Sequence, residues 1–213
     1  MIGVEIGSQR LQALLGKPEH ARGLIIFAHG SGSGRLSPRN TYVAERLREA
    51  GFATLLLDLL TPQEERDRRN VFDVALLAQR LAAATQWAES DPQTRELPVG
   101  YFGSSTGAAA ALIAAALPDS RVGAIVSRGG RPDLAGAMAD VRAPTLLIVG
   151  GLDTGVIELN RSALTRLAGE KELVIVPGAG HLFEEPGALD QVVSHAQRWF
   201  ATHLAEPSPG MLN

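Results

Sequence analysis

The stretch Gly103-Ser104-Ser105-Thr106-Gly107 constrains this chain more than any other, because it sets a serine between two glycines where an apolar segment gives way to an alanine-rich one. Residues 98–102 suit a short buried strand, and residues 108–117 suit a buried helix whose first N–H groups point back at the turn. A sharp strand-to-helix turn needs a strained backbone at its apex. Bulky residues two positions to either side would collide with the adjoining strand and helix, and Gly103 and Gly107 remove those collisions. Ser105 is therefore expected to stand exposed at a helix N-terminus, as a nucleophile does on such an elbow.

A chain of 213 residues buries a sizeable core and most simply forms one domain, here expected over residues 1–204. Residues 205–213, with two prolines and a glycine, read as a flexible tail. The formal charge of −3 gives no electrostatic reason to expect nucleic acid or an anionic membrane as partner. With no cysteine there is no disulfide framework, no thiolate metal site and no cysteine nucleophile. The first residues lack the basic and apolar segments of a signal peptide, and the longest apolar run, residues 107–117, is too short to span a bilayer. A cytoplasmic protein is the expectation.

Short strand-like runs alternate with longer helical patterns after an opening hairpin, which argues for an α/β fold with a mainly parallel sheet covered on both faces. Eight strands are expected, at residues 1–6, 10–15, 24–28, 53–58, 98–102, 122–127, 145–149 and 172–176. A helix over residues 40–50 ends at Gly51, and Val74, Leu77, Ala78, Leu81 and Ala88 form one helical stripe. Leu189, Val192, Val193, Ala196, Trp199, Phe200 and His203 mark a last amphipathic helix after Pro186. The segment between Ser127 and Thr145 is too short for an inserted cap domain, so the site is expected to be open.

A serine hydroxyl is a poor nucleophile at neutral pH unless an imidazole takes its proton and a carboxylate holds that imidazole in the right tautomer. On a strand-turn-helix elbow these follow in the order serine, acid, histidine. His181, His195 and His203 follow Ser105, but the last two lie on the final helix, whereas His181 sits in a glycine-rich loop directly after a strand. Asp153 follows the strand at 145–149 and is the expected acid, with Asp133, one strand earlier, as its rival. The oxyanion needs N–H donors, assigned to Thr106, directly after the nucleophile, and to Ser31 in the small-residue loop after the third strand. His29 reads as a structural support of that loop.

The loop does not fit a nucleotide site: Arg35 stands where the dinucleotide fingerprint from Gly30 wants a small residue, and no Gly-Lys-Ser/Thr follows. Arg35 and Arg128 are the two arginines that strand order brings towards the mouth, where either would pair with a substrate carboxylate. No metal or cofactor is expected.

With His29-Gly30-Ser31-Gly32-Ser33-Gly34, the Ser105 elbow, Gly151-Leu152-Asp153 and Gly180-His181 in place, the chain resembles the dienelactone hydrolase-like branch of the α/β-hydrolases over residues 1–204. The resemblance implies an eight-stranded α/β-hydrolase fold with no cap domain, with Ser105, Asp153 and His181 as the triad and Ser31 and Thr106 as oxyanion donors. Residues 29–40 also resemble a bacterial group in which the hydrolase is sometimes joined to a phosphoribosyltransferase. The name-giving enzymes use cysteine where this chain has Ser105, which favours an ordinary carboxylesterase over dienelactone hydrolysis. Haloalkane dehalogenase chemistry is disfavoured because it requires an aspartate at the elbow. The expected partner is a small ester, with short acyl chains favoured by the absence of a cap. Thioester or lactone hydrolysis and acyl transfer remain open, as does a small-molecule receptor with slow turnover, and the oligomeric state is open, a homodimer included.

Overall fold

A computed structural model of the protein describes residues 1–136 and 138–204, so the tail expected over 205–213 lies outside the described residues. Eight strands, β1 (Ile2–Ile6), β2 (Leu11–Gly16), β3 (Leu24–Ala28), β4 (Ala53–Leu57), β5 (Val99–Ser104), β6 (Ala124–Arg128), β7 (Thr145–Gly150) and β8 (Lys171–Val176), form one sheet in the order β1-β2-β4-β3-β5-β6-β7-β8. The pairs β1·β2 and β2·β4 are antiparallel, and every other pair is parallel. Each strand falls within two residues of its expected bounds. The helices are α1 (Pro38–Glu49), α2 (Arg68–Phe72), α3 (Val74–Ser90), α4 (Thr106–Ala115), α5 (Thr154–Arg166) and α6 (Ala188–His203). No helix among the described residues is long and apolar enough to cross a membrane.

The central strands are buried along their whole length because both sheet faces are covered. Alternate residues go to opposite layers: Ile26, Tyr101 and Ile125 join Leu81 of α3 and Ala109 of α4, while Phe27, Phe102 and Val126 join Val43 of α1 and Phe200 of α6. The four alanines at 108–111 of α4 are fully buried, and their small side chains let this helix run close beneath the sheet and against α3. Helix α5 buries Asn160 on one face between Ile157 and Ala163.

The fold places the C-terminal ends of the parallel strands together at one edge of the sheet, and the loops that leave them are held at close quarters. Ser105, between β5 and α4, adopts φ 51° and ψ −120°, a conformation that L-residues rarely adopt. A Cβ on Gly103 would lie 2.5 Å from Ala108 Cα, and one on Gly107 would overlap the carbonyl oxygens of Ala28 and His29. Both glycines are required by backbone contact, as the sequence reading expects. His29 fastens the loop after β3 to the end of β4: its Nε2 accepts the Leu59 N–H at 3.0 Å and its Nδ1 lies 2.9 Å from Gly30 O. One ring nitrogen must accept and the other donate, so the buried ring is neutral with the proton on Nδ1. Burial pushes its pKa below 6.5, against smaller opposing effects of the Gly30 hydrogen bond and the Asp58 charge.

Two outcomes follow from these contacts. Gly107→Ala forces backbone apart and should cost at least about 2 kcal/mol, a fall in Tm of roughly 5 °C or more. Gly155→Ala, in α5 with open space around the position, should leave Tm unchanged or slightly raised in the same thermal melts. Because the unfolded chain protonates His29 near pH 6.5 while the folded chain resists it, this stabilisation is whole above pH 6.5 and is lost as pH falls from there through the lower folded value. Denaturant midpoints between pH 7.5 and 5 should therefore drop less steeply in His29→Gln than in the parent; equal slopes would refute the assignment.

Candidate active site

Ser105 is clamped from the β6 side. Its N–H donates to Arg128 O at 3.3 Å, and its own carbonyl accepts the Arg131 N–H at 3.1 Å, so the glycine pair Gly129-Gly130 arches round the serine. Gly30 closes the opposite side, where a Cβ would stand 3.0 Å from Ser105 Cβ. These contacts hold a conformation that costs on the order of 1–3 kcal/mol in isolation. Asn160 buttresses the arch from α5 by donating Nδ2–H to Gly130 O at 3.0 Å.

Asp153 precedes α5 at the position of a helix cap, yet its side chain makes no capping bond. Its Oδ2 instead lies 2.6 Å from His181 Nδ1. The carboxylate is the acceptor, so Nδ1 carries the proton and Nε2 is left free to take another. The two loops are laced by backbone: Gly151 N–H donates to Val176 O at 2.8 Å and Leu152 N–H to Ala179 O at 2.9 Å. Gly150 makes this approach feasible, since a Cβ there would overlap the carbonyl oxygens of Ala179 and Gly180. Glu185 Oε1 accepts the Gly180 N–H at 3.0 Å, and buried Phe183 turns the chain at φ 55°.

The imidazole lies over Gly129, where a Cβ would be 3.5 Å from both His181 Nδ1 and Cε1. Gly129 directly follows the carbonyl that receives the Ser105 N–H, so the imidazole and the serine backbone are both set against the exit of β6. Among the described residues Ser105 Oγ makes no hydrogen bond, and Asp153 and His181 are the members joined directly. Thr106 opens α4, where the first N–H groups have no partner within the helix. Ser31 is brought to it, and its N–H donates to Thr106 Oγ1 at 3.2 Å.

The remaining expectations resolve differently. Asp133 is held by Arg131 through two hydrogen bonds of 2.8 and 2.7 Å and sits in a 3-10 turn, away from the imidazole contact that Asp153 makes. Arg35 does not present a free guanidinium, because Asp58 accepts both its N–H, at 2.7 Å, and its side chain. Arg128 is not an exposed clamp either: it is 8% exposed, its guanidinium is 5.9 Å from the Phe183 ring centre, and its Nε and Nη1 are buried with no hydrogen-bond partner among the described residues. Burial, with the Arg39 charge adding to it, pulls its pKa down to about 10, which leaves it charged at neutral pH. Gly129, Gly130, Asn160 and Glu185 are supports that residue-type reasoning missed. The double glycine after a strand was the one readable signal; Asn160 and Glu185 act through contacts across the fold.

Residues 11–203 match the dienelactone hydrolase family. A solved dienelactone hydrolase from Anabaena variabilis is 55% identical, with a TM-score of 0.91 over 95% of this chain and 96% of that one. An α/β serine hydrolase without a lid from Xanthomonas campestris shares the fold at 22% identity, with a TM-score of 0.78 over 98% and 96% of the two chains. A Mycobacterium tuberculosis H37Rv protein with the provisional name phosphoribosyl transferase is 62% identical over 193 residues, which are 90% of this chain and 44% of that protein. The matched region thus spans less than half the length of this relative and of its counterpart from a second strain. Together, the lidless eight-stranded architecture, the strained serine and the match along nearly the whole sequence place this chain in the dienelactone hydrolase family.

Proposed function

We propose that this member of the family is a serine hydrolase of small carboxylic esters that works through an acyl-enzyme. The observation that carries the reading is the 2.6 Å Asp153–His181 contact, made by residues 28 apart and set over the same glycine arch that clamps the strained Ser105. In this scheme His181 Nε2 takes the Ser105 Oγ proton as Oγ bonds to the carbonyl carbon and the π electrons move to oxygen. The oxyanion is met by Thr106 N–H and by Ser31 N–H, which exchanges the Thr106 hydroxyl for the stronger acceptor. Collapse of the intermediate expels the alcohol oxygen, which receives the proton from His181. Water then repeats the sequence, giving its proton to His181 and releasing the acid while Ser105 recovers its hydrogen. Asp153 stays ionised throughout and holds the imidazole by Nδ1–H.

The provisional name of the Mycobacterium relative describes a protein more than twice the length of the shared region, and fits an arrangement in which a hydrolase is joined to a phosphoribosyltransferase. The activity proposed here is assigned to the shared 193 residues.

Turnover of p-nitrophenyl butyrate should fall by ~10⁴-fold or more in Ser105→Ala and His181→Ala, and on the order of 10³–10⁴-fold in Asp153→Asn, with folding verified by thermal melts. A fluorophosphonate should add its phosphonyl mass to Ser105 in the parent and not in Ser105→Ala. Undiminished turnover in Ser105→Ala would overturn the serine mechanism, and ester binding with no turnover in the parent would favour the receptor.

A further inference from the structure

Beside the loop after β3 lies a cavity of about 480 Å³ walled by Gly30, Ser31, Leu60, Val71, Phe72 and Leu77. We propose that this cavity is the acyl-binding subsite and that it takes a neutral, apolar acyl group of medium length, such as an octanoyl or phenylpropanoyl group. The inference rests on the serine hydrolase reading for its orientation, and on the cavity itself for its chemistry.

Orientation follows from the sheet order. With β5 carrying Ser105, the strands β3 and β4 lie to one side and β6, β7 and β8 to the other. The imidazole and its carboxylate come from the β7 and β8 ends, and His181 lies over the residue that follows β6. A leaving alcohol oxygen has to face the imidazole to receive its proton, so the alcohol occupies the β6–β8 side. The acyl group, on the other substituent of the carbonyl carbon, is directed to the β3–β4 side. There Gly30, where a Cβ would stand 3.0 Å from Ser105 Cβ, is also a wall of the cavity.

The chemistry of the walls selects the group. Leu60 and Leu77 are each 3% exposed and line the cavity with the partly buried Val71, while Phe72, 52% exposed, stands at its open edge. His29, Ser33, Glu65 and Arg68 border it as well, but His29 is engaged by Leu59 N–H and Gly30 O, and Glu65 and Arg68 are exposed, with Arg68 6.0 Å from the Phe72 ring centre, so Leu60, Val71, Phe72 and Leu77 form the surface that meets an apolar chain. A volume of this size lies within the range of ordinary small-ligand pockets and exceeds what an acetyl group needs. The short α2 helix and its neighbouring turn supply the wall that a cap would otherwise provide. The expectation of short acyl chains, drawn from the missing cap, is thereby revised.

Each methylene fully buried in the cavity is worth up to about fourfold in affinity. The parent should hydrolyse p-nitrophenyl octanoate with a kcat/KM at least tenfold above that for the acetate. Val71→Trp, which fills the cavity, should lower this octanoate-to-acetate ratio at least tenfold, and Phe72→Ala, at an exposed position that folding tolerates, should lower it several-fold. The ratio of benzyl octanoate to methyl octanoate should not change in either variant. Acyl ratios within twofold of the parent in both variants would overturn the proposal, as would a change in the alcohol ratio in place of the acyl ratio. Binding of methyl octanoate to Ser105→Ala, measured by calorimetry, reads the cavity without turnover: it should be at least tenfold tighter than methyl acetate, and lost when Val71→Trp is added. Equal binding of the two esters would sink the subsite even if hydrolysis by Ser105 stands, whereas octanoate-selective binding lost in Val71→Trp, with turnover retained in Ser105→Ala, would leave a cavity for apolar chains and overturn its assignment to the acyl group.

Discussion

The backbone of Ser105 is the constraint on which the rest of this site depends. A residue at φ 51° and ψ −120° does not stay there by its own preference. It is held because the Arg128 carbonyl, the Arg131 amide and the close approach of Gly30 leave it no room to relax. The parallel sheet makes that clamp available, since β3 and β6 flank β5 and release their loops at the same level. Side-chain size then becomes decisive at Gly103 and Gly107, where neighbouring backbone already occupies the space of a Cβ.

The imidazole is positioned by the same economy of loops. Asp153 gives up the capping bond that an aspartate before a helix ordinarily makes, and its carboxylate is left for His181. The strand-end loops are bound to each other by main-chain hydrogen bonds and by Glu185, so a ring that is partly exposed still has a fixed direction. Rigidity at these points matters because a proton can pass only between groups held within hydrogen-bond reach. His29, by contrast, is a neutral tie between the loops after β3 and β4, and it borders the cavity beside the first of them.

Much of this was legible in the linear sequence, and the particular residues show why. The strands were readable because fully buried parallel strands are continuous apolar runs. The elbow was readable because it needs two glycines at a fixed spacing. Asp153 and His181 were readable because each follows a strand in the required order, and Asp153 prevailed over Asp133 once Arg131 was seen to hold the latter. The arginines were misjudged: strand order brought Arg35 and Arg128 towards the mouth, but only packing could show that Asp58 neutralises one and that Phe183 covers the other. The contact by which Asn160 of α5 holds Gly130 joins residues 30 apart and was not legible from local periodicity.

By itself, the sequence determined the alternation of strands and helices, the strained turn and the order in which Ser105, Asp153 and His181 follow their strands, because these depend on local periodicity and on glycines at fixed intervals. Only the tertiary structure decided which carboxylate meets the imidazole, which arginines are spoken for, and that Leu60, Val71, Phe72 and Leu77 line a cavity next to Gly30. Those outcomes depend on contacts between residues far apart along the chain, whose distances are set by how the loops fold over the sheet.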